Sequence, residues 1–528
     1  MISAGPAVGV GSAGPLPART PEASGGHVGS LQSAKSDRLI VISRLTPLGC
    51  VALLAGCVLV GPNYVAPTPS ELHVPSSWQG TAPSTGAGLE IANWWQHLGD
   101  ALLTRLIAQA MQASPDVQSA RAKLRQARAQ RRLALGNLWP TASASASAQH
   151  TETSEPSGIG GPPSQNVAAG GSQDLYDATF DASWEPDIVG GQRRALEAAR
   201  ADEATSTASL HNTQVTLAAE VARNYVEVRS FQARIAITRA NLASQSETLA
   251  LTEWRVQAGL TSSLDAEQQR TNVEQTRATI PPLETSLAEA EHRLATLLGL
   301  APGALYEDLA VPAPIPQVPE PLTIEIPADI LRQRPDVAAA ERTLAAATAR
   351  IGEAAAARYP SLTLSGSIGV EAMTIGALTN GSSFAASAVG SLAQTIFDAG
   401  RISAQIEIQD AVQQQALATY KATVLGALED VENALVSLAN TQARATALAA
   451  AVESARNAAL LARYRYGTGI IDFQTVLDTE RTVLTIEDSL NATQADNTVA
   501  VIQLYKALGG GWSPAEALDG LNTHGTSS

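Results

Sequence analysis

Few residues in this chain could do covalent or metal chemistry. Seven histidines and two cysteines are spread through 528 residues. There is no His-x-x-x-His pair, no Cys/His cluster and no glycine-rich phosphate loop after a strand. No serine, histidine or aspartate sits in a nucleophile motif. The sequence therefore predicts no enzyme, no metal and no cofactor. One cysteine is placed for a different chemistry. Lys35, Arg38 and Arg44 precede a short apolar run, Leu45 to Ala55, which is too short to span a bilayer. Leu54-Ala55-Gly56-Cys57 then has the form of a bacterial lipoprotein-processing site. Cys57 would carry a covalent lipid, a diacylglycerol thioether plus an N-acyl chain. An ordinary signal peptide with an incidental cysteine is the plainer alternative. Cys50 and Cys57 both fall at this signal, so no disulfide framework is expected.

A second group could do electrostatic work. Asp177, Asp181 and Glu185 alternate with Tyr176, Ala178, Phe180, Ala182 and Trp184. Period two gives one acidic and one apolar face, the mark of a strand between two environments. Thr141 to Ala148 alternates Ala with Ser or Thr in the same way. Later, Leu362, Leu364, Ile368 and Val370 share a face, as do Phe384, Ala386, Ala388, Leu392 and Ile396. Four strands are predicted, with loops at about 153–173 and 372–382.

Long helices must position these strands. Val221, Val228, Ile235, Leu242, Leu249 and Val256 recur every seventh residue, and so do Val431, Leu438, Ala445, Val452, Ala459 and Tyr466. A sustained heptad predicts helices supercoiled on one another. Further along the chain Val483, Leu490, Asn497 and Leu504 keep the period; Asn497, the polar entry, either fixes register or faces solvent. Two glycine-centred breaks interrupt the helices, at Gly259-Leu260-Thr261-Ser262 and at Gly467-Thr468-Gly469-Ile470. Gly259 and Gly469 are 210 residues apart, as are Gly190 and Gly400, and Leu298-Gly299 and Leu508-Gly509. Pro115-Asp116-Val117 recurs as Pro335-Asp336-Val337, and Trp139-Pro140 as Tyr359-Pro360, at a spacing of 220. The chain is thus one unit repeated twice, each with two strands and a long helical hairpin whose tip is a glycine turn. Pro281-Pro282 should kink or interrupt the first return helix.

Composition limits the function. The chain is 45% hydrophobic but only 4% aromatic, which favours extended helices over compact layers. A net charge of -15 gives no basic face for nucleic acid, although such acidity is also common on solvated surfaces. After the signal no apolar run is long enough for a transmembrane helix. A membrane role would then need the lipid, a β-barrel, or both, and strands in lipid must close, because an open sheet edge there leaves backbone groups unsatisfied. Four strands cannot close alone. Two copies give eight strands, nearly filled inside; three give twelve with a lumen, the favoured closure, and the helices would continue it as a tube.

Several stretches carry a family resemblance. These are Cys57 with Val60-Gly61-Pro62-Asn63-Tyr64 and Pro67, and Trp94-Trp95 with Leu98-Gly99-Asp100. Trp184-Glu185-Pro186-Asp187 and Phe397-Asp398-Ala399-Gly400-Arg401 stand at the two strand-to-helix junctions. Ile280-Pro281-Pro282-Leu283-Glu284, Ile330 to Val337 with Ala340-Glu341, and Leu508-Gly509-Gly510-Gly511-Trp512 complete the set. Over about 57–512 the chain resembles the outer-membrane factors of Gram-negative efflux and type I export systems, the TolC and OprM-like channels, and among them the NodT-type lipoproteins. The resemblance implies a homotrimer with a twelve-stranded outer-membrane barrel and a periplasmic α-helical tunnel. A periplasmic adaptor and an inner-membrane pump would be its partners, and outer-membrane lipid its surroundings.

It also implies sites. Matching Tyr466 and Gly469 to the family's Tyr-x-x-Gly turn puts Asp478 on its characteristic aspartate and Gln474 one turn earlier, at the constriction. Tyr466, Gln474 and Asp478 form the expected periplasmic gate. Three Asp478 carboxylates would be solvated, partly protonated or cation-bound; a solvent-facing coiled-coil position is the plainer role. The turns Gly259 to Ser262 and Gly467 to Ile470 are the expected adaptor contacts. Asp177, Asp181 and Glu185 would line the barrel lumen. The expected layout is a signal and extension over 1–56, a lipidated tether over 57–92, repeats over 93–299 and 326–510, a linker over 300–325 and a tail over 511–528. Two other readings compete. A periplasmic adaptor or scaffold lipoprotein would have one hairpin set in small β-domains, and a trimeric surface adhesin would have one C-terminal barrel; the twofold repeat fits neither.

Overall fold

The computed structural model describes residues 59–72, 74–75, 91–152, 172–317 and 333–512. Cys57, the signal region and the loop over 153–171 lie outside the described residues.

Helices α1 (Ala101–Ala113) and α2 (Pro115–Gly136) lead into strands β1 (Thr141–Glu152) and β2 (Ser172–Trp184). Then come α3 (Gly191–Gln257), α4 (Ser263–Ala278) and α5 (Ile280–Leu297). The second half has α6 (Pro335–Ala356), β3 (Ser361–Ala372), β4 (Phe384–Ala393), α7 (Arg401–Gly467) and α8 (Phe473–Ala507). The duplication is close to exact in length: α2 and α6 have 22 residues each, and α3 and α7 have 67 each. Sixty-seven residues of helix carry the chain about 100 Å from the sheet. No described helix is long and apolar enough to cross a membrane.

The four strands form one antiparallel sheet in chain order, so β2 of one repeat pairs with β3 of the other. Register keeps like with like. Ala144, Phe180, Ile368 and Ala386 lie in one row across the sheet, and Ser143, Asp181, Ser367 and Ser387 in the next. Two expected strand residues fall beyond the ends. The alternation stops at Trp184, so Glu185 belongs to the β2–α3 joint, and Ile396 lies past β4. The chain bends at Ile188 to Gly190 after β2 and at Ile396 after β4.

Each joint ends in a helix start held by an aspartate. Asp187 accepts from the Arg193 amide (2.9 Å), and Asp398 from the amides of Gly400 (2.9 Å) and Ile402 (2.7 Å). Gly190 and Gly400 take left-handed φ values of 89° and 85°. The prolines of Ile280-Pro281-Pro282 sit in the first turn of α5, where the missing amide costs nothing, and the interruption falls at Thr279. Trp94 to Leu98 form a short 3-10 turn that ends at Gly99 (φ 65°); Asp100 then caps α1.

The main core lies where α1, α3, α5 and α8 meet. Trp94 stacks on Tyr505 at 5.2 Å, and Leu103, Leu106, Ile107, Leu294, Leu298, Leu309 and Ile502 surround the pair. Buried Arg334 ties α6 to the last turn of α8 through Ala507 O (2.9 Å) and pairs with Asp336 and Asp430. Tyr225 donates to Asp100 Oδ2 (2.6 Å); burial, and then that carboxylate, push its phenol up to about 12. The stretch read as a tether is seated: Leu72 is buried with Val337, Leu344, Tyr420 and Val424.

The expected heptad seam changes partway along α3. Val221, Val228 and Ile235 are buried, but Leu242, Leu249 and Val256 are half-buried. Thr238, Gln245 and Thr252, also seven apart, take the buried face instead. On α7 the seam returns as Val452, Ala459 and Tyr466. Asn497 is half-buried and accepts from Thr441 of α7 (3.2 Å).

Candidate functional site: an apolar-faced sheet and two hairpin tips

Two regions carry the chemistry, the faces of the sheet and the paired tips. On the sheet, Phe180, Ile368, Phe384 and Leu392 are 69%, 49%, 59% and 70% exposed, although they belong to a continuous apolar face. Water does not favour so contiguous a patch; a hydrocarbon environment does. Ten to thirteen residues per strand match the nine to eleven or so that a tilted membrane strand needs. Trp139, Trp184 and Tyr359 stand at the helix end of this face, where a membrane interface places aromatic rings. Trp184 Nε1 donates to Leu138 O (3.0 Å).

The other face is mainly polar, with Leu175 and Val389 as its large apolar exceptions. Ser145 shares a hydrogen bond with Thr179 (2.8 Å), Ser147 donates to Asp177, and Ser367 pairs with Ser387 (2.7 Å). Asp177 and Asp181 both lie on this face. Glu371, which sequence reasoning missed, stands directly opposite Asp177; its parity with Ser365 and Ser367 was the available signal. No lysine or arginine occurs on the four strands. Glu185 instead lines a recess of about 420 Å³ beneath the sheet with Gln192, Glu353, Tyr359 and Gln394. Both outer strands, β1 and β4, keep an unpaired edge within the protomer.

The tips repeat one geometry. Gly259 and Gly469 have φ of 70° and 74°. Leu260 N donates to Arg255 O (2.8 Å), and Ile470 N to Arg465 O (2.9 Å), the helix-ending pattern that favours glycine. Ser262 caps α4, and Asp472 caps α8. Hydrogen bonds from the Thr475 side chain and amide hold the Asp472 carboxyl below its ordinary range. Leu260 and Ile470 are 68% and 71% exposed, and Thr261, Ser262, Gly467 and Thr468 complete the two turns.

The expected gate residues divide. Gln474 and Asp478 are exposed on one face of α8, and Gln474 Nε2 donates to Asp478 Oδ1 (2.9 Å). Tyr466 is buried between the tips. Its ring packs on Phe473 at 5.0 Å, its hydroxyl meets Thr261 at 3.3 Å, and the Arg255 guanidinium lies 4.7 Å over it. Arg255 also donates to Tyr466 O (3.1 Å) and Gly467 O (3.0 Å), tying tip to tip. Further along, buried Glu480 of α8 accepts from Thr248 of α3 (2.9 Å) and Arg463 of α7 (3.1 Å), and meets Gln269 of α4 at 3.4 Å. One carboxylate thus touches three other helices. Sequence reasoning missed it, because a glutamate beside Arg481 reads as surface.

Three kinds of comparison bear on these features. The sequence pattern of the family described as outer membrane efflux protein matches residues 106–300 and 326–510. The pyoverdine export outer membrane protein OpmQ of Pseudomonas aeruginosa is 32% identical, over 88% of this chain and 97% of that protein. Nodulation protein T of Rhizobium leguminosarum bv. trifolii is 31% identical, over 88% and 96%. Among solved structures, the outer-membrane channel OprN superposes with a TM-score of 0.80 at 33% identity, covering 86% of this chain and all of that one. The open state of the Neisseria gonorrhoeae MtrE outer membrane channel gives 0.76 at 26% identity, over 87% and 99%.

Proposed function

This chain belongs to the outer membrane efflux protein family, and from that premise we propose that it is the passive outer-membrane duct of a tripartite efflux assembly. The observation that carries the reading is the two-faced sheet, apolar and exposed on one side, hydroxylic and acidic on the other. Such a sheet is stable in a bilayer when its open edges meet those of other copies. Three copies give twelve strands and a wetted lumen. Helix pairing supports the same closure. α6 packs against both α3 and α7, whereas its repeat counterpart α2 packs closely on α3 alone. The first half of α7 keeps Ile408 and Val412 exposed, 53% and 39%. A neighbouring copy's α2 lying there would restore the internal pattern.

The duct performs no catalysis. Cargo enters at the tips from a periplasmic adaptor and inner-membrane pump, with the exposed turns at Gly259 to Ser262 and Gly467 to Ile470 as adaptor contacts. Asp478 with Gln474 rims the closed end, and three copies of that carboxylate set its charge. A lipid on Cys57 adds a second membrane attachment. Asp177, Asp181 and Glu371 give the lumen a cation preference.

The test is the outer-membrane fraction of cells expressing the full-length protein. A heat-modifiable trimer is expected there, and recovery from the inner membrane alone overturns the reading in favour of an adaptor lipoprotein.

A further inference from the structure

Arg194, in the first turn of α3, is 2% exposed, and three of its four hydrogen-bond acceptors come from one distant stretch. Its Nε donates to Val60 O (3.0 Å), and its Nη2 to Gly61 O (3.3 Å) and Asn63 Oδ1 (2.8 Å). Only Glu197 Oε2 (2.7 Å) belongs to its own helix. A buried guanidinium needs such oxygens, because leaving its donors unpaired away from water costs more than the bonds themselves gain.

The surrounding surface fits the same stretch. Gly61 has φ 90°, and a Cβ there would lie 2.4 Å from Gly352 Cα. A Cβ on Gly352 would lie 2.6 Å from Val60 O and 2.9 Å from Arg194 Cγ. Two glycines, one on the strap and one on α6, therefore meet backbone to backbone. The Val60 amide donates to Val189 O (3.2 Å) at the β2–α3 joint, and Leu59 covers Gly190 at 3.2 Å from where its Cβ would be. Farther along, Tyr64 donates to Glu341 of α6 (3.1 Å). The strap thus bridges α3 of the first repeat and α6 of the second just below the sheet.

We propose that Arg194, Gly352 and Val189 form a built seat for the segment Leu59–Asn63, and that the seated segment is a clip that fixes the β2–α3 joint. Its ligand is a stretch of main chain, bent at Gly61, that offers two carbonyls and one side-chain amide oxygen to a buried guanidinium.

The test uses purified full-length trimer and compares amide hydrogen exchange in wild type, Asn63→Ala and Gly61→Ala. Asn63→Ala removes one acceptor and adds no volume. Gly61→Ala drives a methyl into Gly352. Exchange over 59–64 should rise about tenfold or more in both, as expected on losing a hydrogen bond to a buried charge. Exchange over 187–194 should rise with it, while the tips at 259 and 469 stay as in wild type. Unchanged exchange of either segment in Asn63→Ala overturns the clip, whatever Gly61→Ala does to assembly. Such a result leaves the duct standing, because the duct is read from membrane fraction and trimer migration.

Discussion

Removing Arg463 would leave the Glu480 carboxylate, 2% exposed, without its cation. Arg463→Ala should cost about 2–3 kcal/mol, the low end for breaking a buried pair because the arginine is 38% exposed. The double variant Arg463→Gln/Glu480→Gln should lie nearer wild type, since no unpaired charge then remains, and calorimetry of the trimer reads both. Asp398 gives a pH effect of known sign. Backbone amides, Ile402 first and Gly400 next, hold its carboxyl below the ordinary value of 3.8. Its contribution is therefore complete above 3.8 and is lost as the pH falls through the lower folded value. Asp398→Asn should remove that acid sensitivity, measured as trimer heat resistance as the pH falls below 3.8. At the rim, Asp478→Ala should increase leak of large antibiotics into cells, and unchanged leak removes Asp478 from the gate. The glycine turns could be read from sequence because a left-handed residue at a helix end calls for glycine. The polar seam of Thr238, Gln245 and Thr252 could not, because threonine and glutamine at heptad spacing look like surface until helices on every side are known.

At the scale of elements, the two faces of the sheet make opposite predictions for adjacent residues. Ile368 lies near the middle of β3 on the apolar face, and Ser367 on the polar one. Ile368→Arg should cost about 2–4 kcal/mol and abolish trimer in the outer membrane. Ser367→Arg should assemble normally and weaken cation preference, and the reverse pattern would mean that the faces are exchanged. The strands were legible because alternation with period two is independent of tertiary context. Their ends were not. The letters alternate through Glu185, one residue past the end of β2 at Trp184, and Ile396 repeats the error after β4. The duplication was legible at both levels, since paired landmarks at fixed spacing survive divergence of everything between them.

Across the whole molecule, three features of the protomer ask for partners. Both sheet edges are open, an apolar face is exposed, and α2 and α7 each present an uncovered side. One threefold assembly in a bilayer answers all three. The sequence alone argued for such closure from the cost of an edge in lipid, but it could not show that β2 pairs with β3 and so knits the repeats into one sheet. The acidic polar face adds a functional sign, because Asp177, Asp181 and Glu371 stand without a lysine or arginine on any strand. The most direct test of the central claim is electrical. Purified trimer placed in a planar lipid bilayer should give a small cation-preferring conductance that grows several-fold in Asp478→Ala as the tips part. A folded Asp478→Ala trimer that inserts and carries no ionic current would contradict the duct.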